Sequence, residues 1–139
     1  MSQDDFPAPQ TGFVVTHFLV VSDQDRSREF YRSVFGATVL LERDPVILRL
    51  ANSWLILNVG GGPTDDKPTV TLAPPADPDL TSAFINLRVA DISQAYAEWS
   101  ARGAEFLTEP QHHATEIRAY VRDPDGHLIE VGQSTVRLG

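Results

Sequence analysis

The sequence predicts an α+β fold built from two tandem βαβββ units. Three observations carry this reading. A β-branched and aromatic run, a helical segment and three further short strand-like runs occur in that order twice along the chain. The helix landmarks recur at nearly constant spacing, Asp91 following Asp23 by 68 residues and Gly103 following Gly36 by 67. And 139 residues, 42% hydrophobic and 22% charged, are enough for one ordinary domain with a core of its own.

Each element follows from local chemistry. Residues 1–11 hold two prolines and little apolar material, which predicts a flexible N-terminal arm before a single domain over 12–139. The run "GFVVTHFLVV", 12–21, is a strand by composition. Asp23 is placed to cap a helix whose Phe30, Tyr31 and Val34 share one face, with Gly36 ending it. "ATVLLER", "VILRLA" and "SWLILNV" complete the first unit, 12–59, as three strands separated by Arg43-Asp44-Pro45 and Asn52-Ser53. A connection over 60–81 with five prolines follows; a loop this long is usually a lid, a linker or a swapped connection. Its glycine run lacks Gly-Lys-Ser/Thr and precedes no helix, so it is not read as a phosphate loop. The second unit, 82–133, opens with the alternating strand "SAFINLRV". A helix over 90–103 follows, with Asp91 as cap, Gln94 placed for a capping box, and an apolar stripe of Ile92, Ala95, Tyr96 and Trp99. "AEFLTE", "EIRAYVRD" and "HLIEVGQ" supply its last three strands.

Composition narrows the function classes. There is no cysteine, which removes disulfides, thiolate ligands and a cysteine nucleophile. A net charge of -8 repels phosphate backbones, so no nucleic acid partner is expected. No apolar run reaches the length of a membrane span and the N-terminus does not read as a signal peptide, so the expectation is a cytoplasmic protein with no membrane partner.

The hairpin "YVRDPDGHLIEV" fixes a register that sorts side chains by face. Pro124 suits the second position of a type I turn, and Gly126 can take the left-handed conformation that closes it. Tyr120 then stands opposite Glu130, and Arg118, Tyr120, Arg122, Leu128 and Glu130 share one face while Ala119, Val121, Ile129 and Val131 share the other. The strand 82–89 splits likewise, with Phe84, Asn86 and Arg88 opposite Ile85, Leu87 and Val89. The polar set, interleaved with tyrosine and phenylalanine, is either a solvated outer face or the wall of a half-apolar pocket.

The repeat, the segment "SDQDRSREFYRSVFGA" and the ending "RDPDGHLIEVG" together resemble the vicinal oxygen chelate (VOC) superfamily, which includes glyoxalase I, extradiol dioxygenases, fosfomycin-resistance thiol transferases and bleomycin-resistance proteins. The resemblance covers about residues 12–133. It implies an open, cup-shaped mixed sheet with helices outside, commonly built across a homodimer. Enzymes of the family hold a divalent metal, such as Zn, Mn, Ni or Fe, that stabilises an anion forming on a small oxygenated substrate. Carried over by residue, the resemblance implies Glu130 as metal ligand and catalytic group, Tyr120 as a catalytic or substrate-contacting hydroxyl, and Trp54 as a substrate contact. His17 is the first ligand it implies; it stands six residues before Asp23 where the family usually has seven, and strict register turns it to the side of Leu19 and Val21. The second-unit ligand position falls on Phe84, and a further glutamate position falls near Ile56. His112, His113 and His127 are the remaining histidines.

Two readings follow. One is a metal-dependent lyase, isomerase or dioxygenase using His17 and Glu130 as ligands, with Arg88 or Arg118 pairing an anionic substrate and Phe84 and Asn86 lining the site. The other is a metal-free protein of bleomycin-resistance type that binds a drug or metabolite without turnover. Both take a small-molecule ligand.

Overall fold

The computed structural model describes residues 5–136 of the chain. Ten elements run in the order β1 (His17–Val21), α1 (Gln24–Phe35), β2 (Thr38–Leu41), β3 (Val46–Leu50), β4 (Ser53–Val59), β5 (Ile85–Arg88), α2 (Ile92–Ala101), β6 (Gln111–His112), β7 (Glu116–Arg122) and β8 (Leu128–Ser134). They form two four-stranded sheets, ordered β1-β4-β3-β2 and β5-β8-β7-β6. The chain divides into two compact units, residues 1–76 and 77–139, and each unit carries one βαβββ repeat.

In the first unit β1 pairs parallel with β4, and β3 pairs antiparallel with both β4 and β2. The helix α1 begins where Asp23 accepts from the Arg26 backbone N–H at 3.0 Å. It ends where the Gly36 and Ala37 N–H groups bond back to Arg32 and Tyr31, which satisfies the last carbonyls. Tyr31 and Val34 are buried with Leu19, Val21, Val46, Leu48, Leu55 and Leu57. Each such side chain contributes about 1.5–3 kcal/mol by leaving water.

The strand predicted over 12–21 is shorter than composition suggests. Only His17–Val21 pairs, although β4 begins at Ser53, two residues before the partner of His17; the Ser53 hydroxyl donates to the Val15 carbonyl at 3.3 Å in place of a ladder bond. Phe13 and Val15 are 87% and 75% exposed despite their β propensity. The connection 60–81 is tied to itself: Gly61 and Leu72 exchange backbone hydrogen bonds of 2.9 and 2.8 Å. Lys67 Nζ donates to the carbonyls of Gly62 and Val70 inside that loop.

In the second unit β5 pairs parallel with β8, β8 antiparallel with β7, and β7 with β6. Asp91 caps α2 by accepting from Gln94 N–H at 3.1 Å. The reciprocal half of the predicted capping box is replaced, since the Gln94 amide donates to Glu98 one turn on. Ile92, Ala119 and Val131 form the core cluster, with Val89, Trp99, Phe106 and Ile117 packed around it. The strand predicted over 104–109 is not formed. Phe106 makes one isolated bridge to Val121 while its ring packs on Tyr96 at 4.7 Å, and pairing resumes at Gln111–His112, beyond Pro110, which has no N–H to donate. The hairpin between β7 and β8 follows its predicted register, Tyr120 opposite Glu130 and Arg122 opposite Leu128. Gly126 has φ +90, and Asp123 Oδ1 accepts from the N–H groups of Asp125 and His127.

Candidate functional site

The second unit gathers six of the expected site residues: Phe84, Asn86, Arg88, Arg118, Tyr120 and Glu130. Strand alternation puts Asn86, Glu130 and Tyr120 side by side in one row across β5, β8 and β7. Arg88, Gly132 and Arg118 form the next row on the same face. The opposite face carries Ala119, Val121, Ile129 and Val131, all buried in the core.

Glu130 is the centre of this face and only 8% exposed. The Tyr120 hydroxyl donates to its Oε2 at 2.8 Å, and the Asn86 side-chain amide donates to its Oε1 at 2.7 Å. The Arg88 guanidinium lies 3.8 Å from Oε1. A buried carboxylate needs such partners, since its desolvation is otherwise costly. The same contact acts back on Tyr120. Its donated hydrogen bond to Glu130, then burial, then the carboxylate's charge hold the phenol pKa above its ordinary value. Tyr120 is therefore a donor locked in its neutral form. Phe84 adds an apolar edge, its ring T-shaped to that of Tyr120 at 6.3 Å.

Three further residues complete the network. Glu116 lies 3.4 Å from both Arg88 and Arg118, and Ser134 accepts from Arg88 at 3.2 Å. Glu116 shares the parity of Arg118 and Tyr120 on β7, a signal that was present in the sequence. Gly132 is the third. A Cβ there would lie 2.0 Å from Arg88 Nη1, so the arginine crosses the sheet through a notch that only glycine leaves open.

Of the remaining expected residues, His17 and Trp54 belong to the first unit. His17 pairs in register with Leu55, which puts it on the same side of its sheet as Leu19 and Val21. Trp54 and Ile56 take the alternate positions of β4. Trp54 Nε1–H donates to the Asp5 carbonyl at 2.6 Å, and the Arg49 guanidinium lies 4.4 Å over the indole. His112 and His113 are exposed at and just after β6, and His127 closes the hairpin through its backbone.

Among the described residues no three His, Asp or Glu side chains gather to hold a divalent metal. In the second unit Glu130 stands 3.8 Å from a guanidinium, and both of its oxygens already accept from protein donors. A cation placed there would meet the charge of Arg88 and gain one carboxylate, whereas protein metal sites use three or four ligands. The side chains of this face do not fit a metal ion as they stand.

Comparison with known proteins places the chain among a broad group. The sequence model of the Glyoxalase/Bleomycin resistance protein/Dioxygenase superfamily matches residues 14–131. A probable lactoylglutathione lyase of Synechocystis sp. is 28% identical over 130 residues, covering 88% of this chain and 96% of the relative. Metallothiol transferase FosB of Shouchella clausii is 28% identical over 119 residues, covering 84% and 76%. Among solved structures, TnmS3, an antibiotic binding protein from Streptomyces sp., superposes with a TM-score of 0.65 at 20% identity, covering 92% of this chain and 100% of that one.

Proposed function

The chain belongs to the Glyoxalase/Bleomycin resistance protein/Dioxygenase superfamily, and from that premise we propose that it binds a small oxygen-bearing molecule on the polar face of its second unit without a metal ion. The observation that supports this is the state of Glu130. Its carboxylate is held by Tyr120 and Asn86 beside Arg88, a hydrogen-bonded arrangement that is complete without an ion.

In this reading Glu130 is an anchor for its neighbours rather than a ligand. It holds the Tyr120 hydroxyl and the Asn86 amide in place, leaving the Tyr120 oxygen lone pairs and the Asn86 carbonyl to receive donors from the bound molecule. Arg88 and Arg118 share Glu116 at 3.4 Å, a distance longer than a strong charge-assisted hydrogen bond. An incoming carboxylate or phosphonate competes for these guanidinium groups. Phe84 covers an apolar part of the same molecule. The likeness in fold to an antibiotic binding protein is in keeping with a small-molecule ligand. The protein is further read as a homodimer; sedimentation velocity giving only a monomer at working concentrations overturns that part.

A second reading is favoured by the likeness to a metallothiol transferase. There Glu130 turns from Arg88 and takes up Zn, Mn, Ni or Fe, with His17 as a further ligand and Tyr120 as a catalytic donor. Elemental analysis separates the two. The expected result is no stoichiometric metal, in protein as purified or after incubation with each ion. One equivalent of metal, lost in Glu130→Ala, overturns the metal-free reading. Calorimetry with phenylphosphonate tests the ligand class. Binding that falls about tenfold or more in Arg88→Gln is expected, and equal affinity of the variant and the parent overturns the role of Arg88.

A further inference from the structure

We propose that Arg122 is a further anion-binding residue of the second unit, and that Asp79, on the segment entering that unit, is its built-in competitor, a carboxylate that an anionic group of the ligand displaces. This rests on the reading of the polar face as a binding site, and it narrows the ligand to a molecule with an anionic group at each end.

Alternation along β7 puts Arg118, Tyr120 and Arg122 on one face, with Arg122 in register with Leu128. Four residues of extended strand span about 13 Å. Arg118, with Arg88 in its row, therefore stands at one end of this face and Arg122 at the other, with the bonded pair Tyr120 and Glu130 between them. The Arg122 guanidinium is only half engaged. Its Nη2 donates to Asp79 Oδ1, and among the described residues its Nε, although buried, has no hydrogen-bond partner. Nε and Nη2 lie on the same edge of the guanidinium and form the fork that a carboxylate or phosphonate takes with two parallel bonds. Asp79 occupies one tine. A buried donor left unmet disfavours this closed arrangement, and an oxyanion seated on both tines removes that cost.

Asp79 is presented firmly but held loosely. Its segment is a tight turn, in which Leu80 N–H donates to the Asp77 carbonyl and Asp79 N–H to Asp77 Oδ1, both at 3.0 Å. Pro78 lies over the β7–β8 hairpin, where a Cβ on Gly126 would meet its Cγ at 2.9 Å. Leu80 is 80% exposed, so it adds little buried apolar area to hold the turn down. The Asp79 side chain is itself 80% exposed, against 34% for Arg122, and an ion pair in that setting is weak. Such a carboxylate is always close at hand and easily released. It keeps the fork from anions that bind through one oxygen and yields to one that takes both tines. The apparent affinity of the ligand falls by the fraction of time that the fork is covered.

The test is calorimetry of the full-length chain with the rigid probe biphenyl-4,4′-diphosphonate, set against biphenyl-4-phosphonate. The diphosphonate should bind about tenfold more tightly than the monophosphonate, and Arg122→Gln should remove that gain. Arg122→Lys keeps the charge without the fork and should recover only part of it. Asp79→Asn should raise diphosphonate affinity about two- to fivefold, the scale of an exposed ion pair. In the parent with isotope-labelled arginine, the Nε–H resonance that is absent from Arg122→Gln should shift when the diphosphonate is added. The proposal is overturned by any of four results: no advantage of the diphosphonate, Arg122→Gln or Arg122→Lys equal to the parent, no gain in Asp79→Asn, or an Arg122 Nε–H resonance that does not move. Diphosphonate affinity that falls in Arg88→Gln and not in Arg122→Gln sinks this proposal alone. The reverse pattern sinks the role of Arg88 and leaves that of Arg122 in place.

Discussion

The two units share a plan and differ in what they leave on the sheet face away from the core. In the first, the alternate positions of β4 carry Trp54, Ile56 and Asn58, and the one charge stated at this face is the Arg49 guanidinium over the Trp54 indole. In the second, the matching face carries Arg88 and Arg118 with Glu116 and Glu130, which neutralise one another around Tyr120, while Arg122 on the same face pairs with Asp79. The cores diverge as well. Tyr31 on α1 is fully buried, while Trp99, one repeat later on α2, only packs at the edge of its cluster. A repeated backbone therefore constrains where the helix caps and strands fall, and leaves each face free to take its own chemistry.

The sharpest way to break this comparison is through the cores. Tyr31→Ala is expected to cost about 3–5 kcal/mol, as for a large aromatic side chain removed from a packed interior. Trp99→Ala should cost less, because part of that ring is already in water. Urea melts of both variants check the difference, and equal losses would mean that the second helix is as deeply seated as the first.

Next is Glu130→Leu, which strips the Tyr120 hydroxyl and the Asn86 amide of a shared acceptor. A loss of about 1–3 kcal/mol is expected from the unsatisfied partners. The first unit has no counterpart to this change. A neutral result would show that the network serves binding and not folding.

The caps provide a matched pair. Asp23→Ala and Asp91→Ala each remove one hydrogen bond to a first-turn N–H, and each should cost about 1 kcal/mol. Unequal costs would break the equivalence of the two helix starts.

Gly132→Ala should change stability by less than about 1 kcal/mol, since the clashing atoms are the far end of a flexible arginine. It should nevertheless lower phenylphosphonate affinity, because Arg88 can no longer lie across the strand. Unchanged affinity would remove the notch from the argument.

The smallest effect is a pH dependence. The phenol of Tyr120 has a raised pKa in the folded protein, so its contribution is present in full below the ordinary value of 10.0. It is lost as pH climbs from there through the raised folded value. Stability measured across this alkaline window should fall less steeply in Tyr120→Phe than in the parent.

Much of this architecture was legible because short-range chemistry decides it. Asp and Gly at the helix ends, Pro124 and Gly126 in the hairpin, and strict alternation along β7 and β8 place Tyr120 opposite Glu130 before any tertiary contact is considered. The parts that were not legible depend on distant partners. The strand composition of 12–16 goes unused in the ladder, and the Ser53 side chain, not its backbone, bonds to the Val15 carbonyl. The segment 104–109 yields to ring packing on Tyr96. Glu116 becomes a shared acceptor only once β5 lies across β8, and the bond from Trp54 to Asp5 spans 49 residues of chain. Gly132 was visible as a glycine in a strand, but which group passes over it is a tertiary fact.

The backbone bridge between Gly61 and Leu72 has a practical consequence. Because the stem closes on itself, the segment 62–71 can change length while its two ends stay side by side. Doubling such an excursion costs only about 0.6 kcal/mol in closure entropy. An epitope or a reporter peptide grafted there, in place of 64–67, should leave both sheets in register. Gly60 must be kept, since a Cβ at that position would sit 2.1 Å from the Leu72 carbonyl oxygen and pry the stem apart.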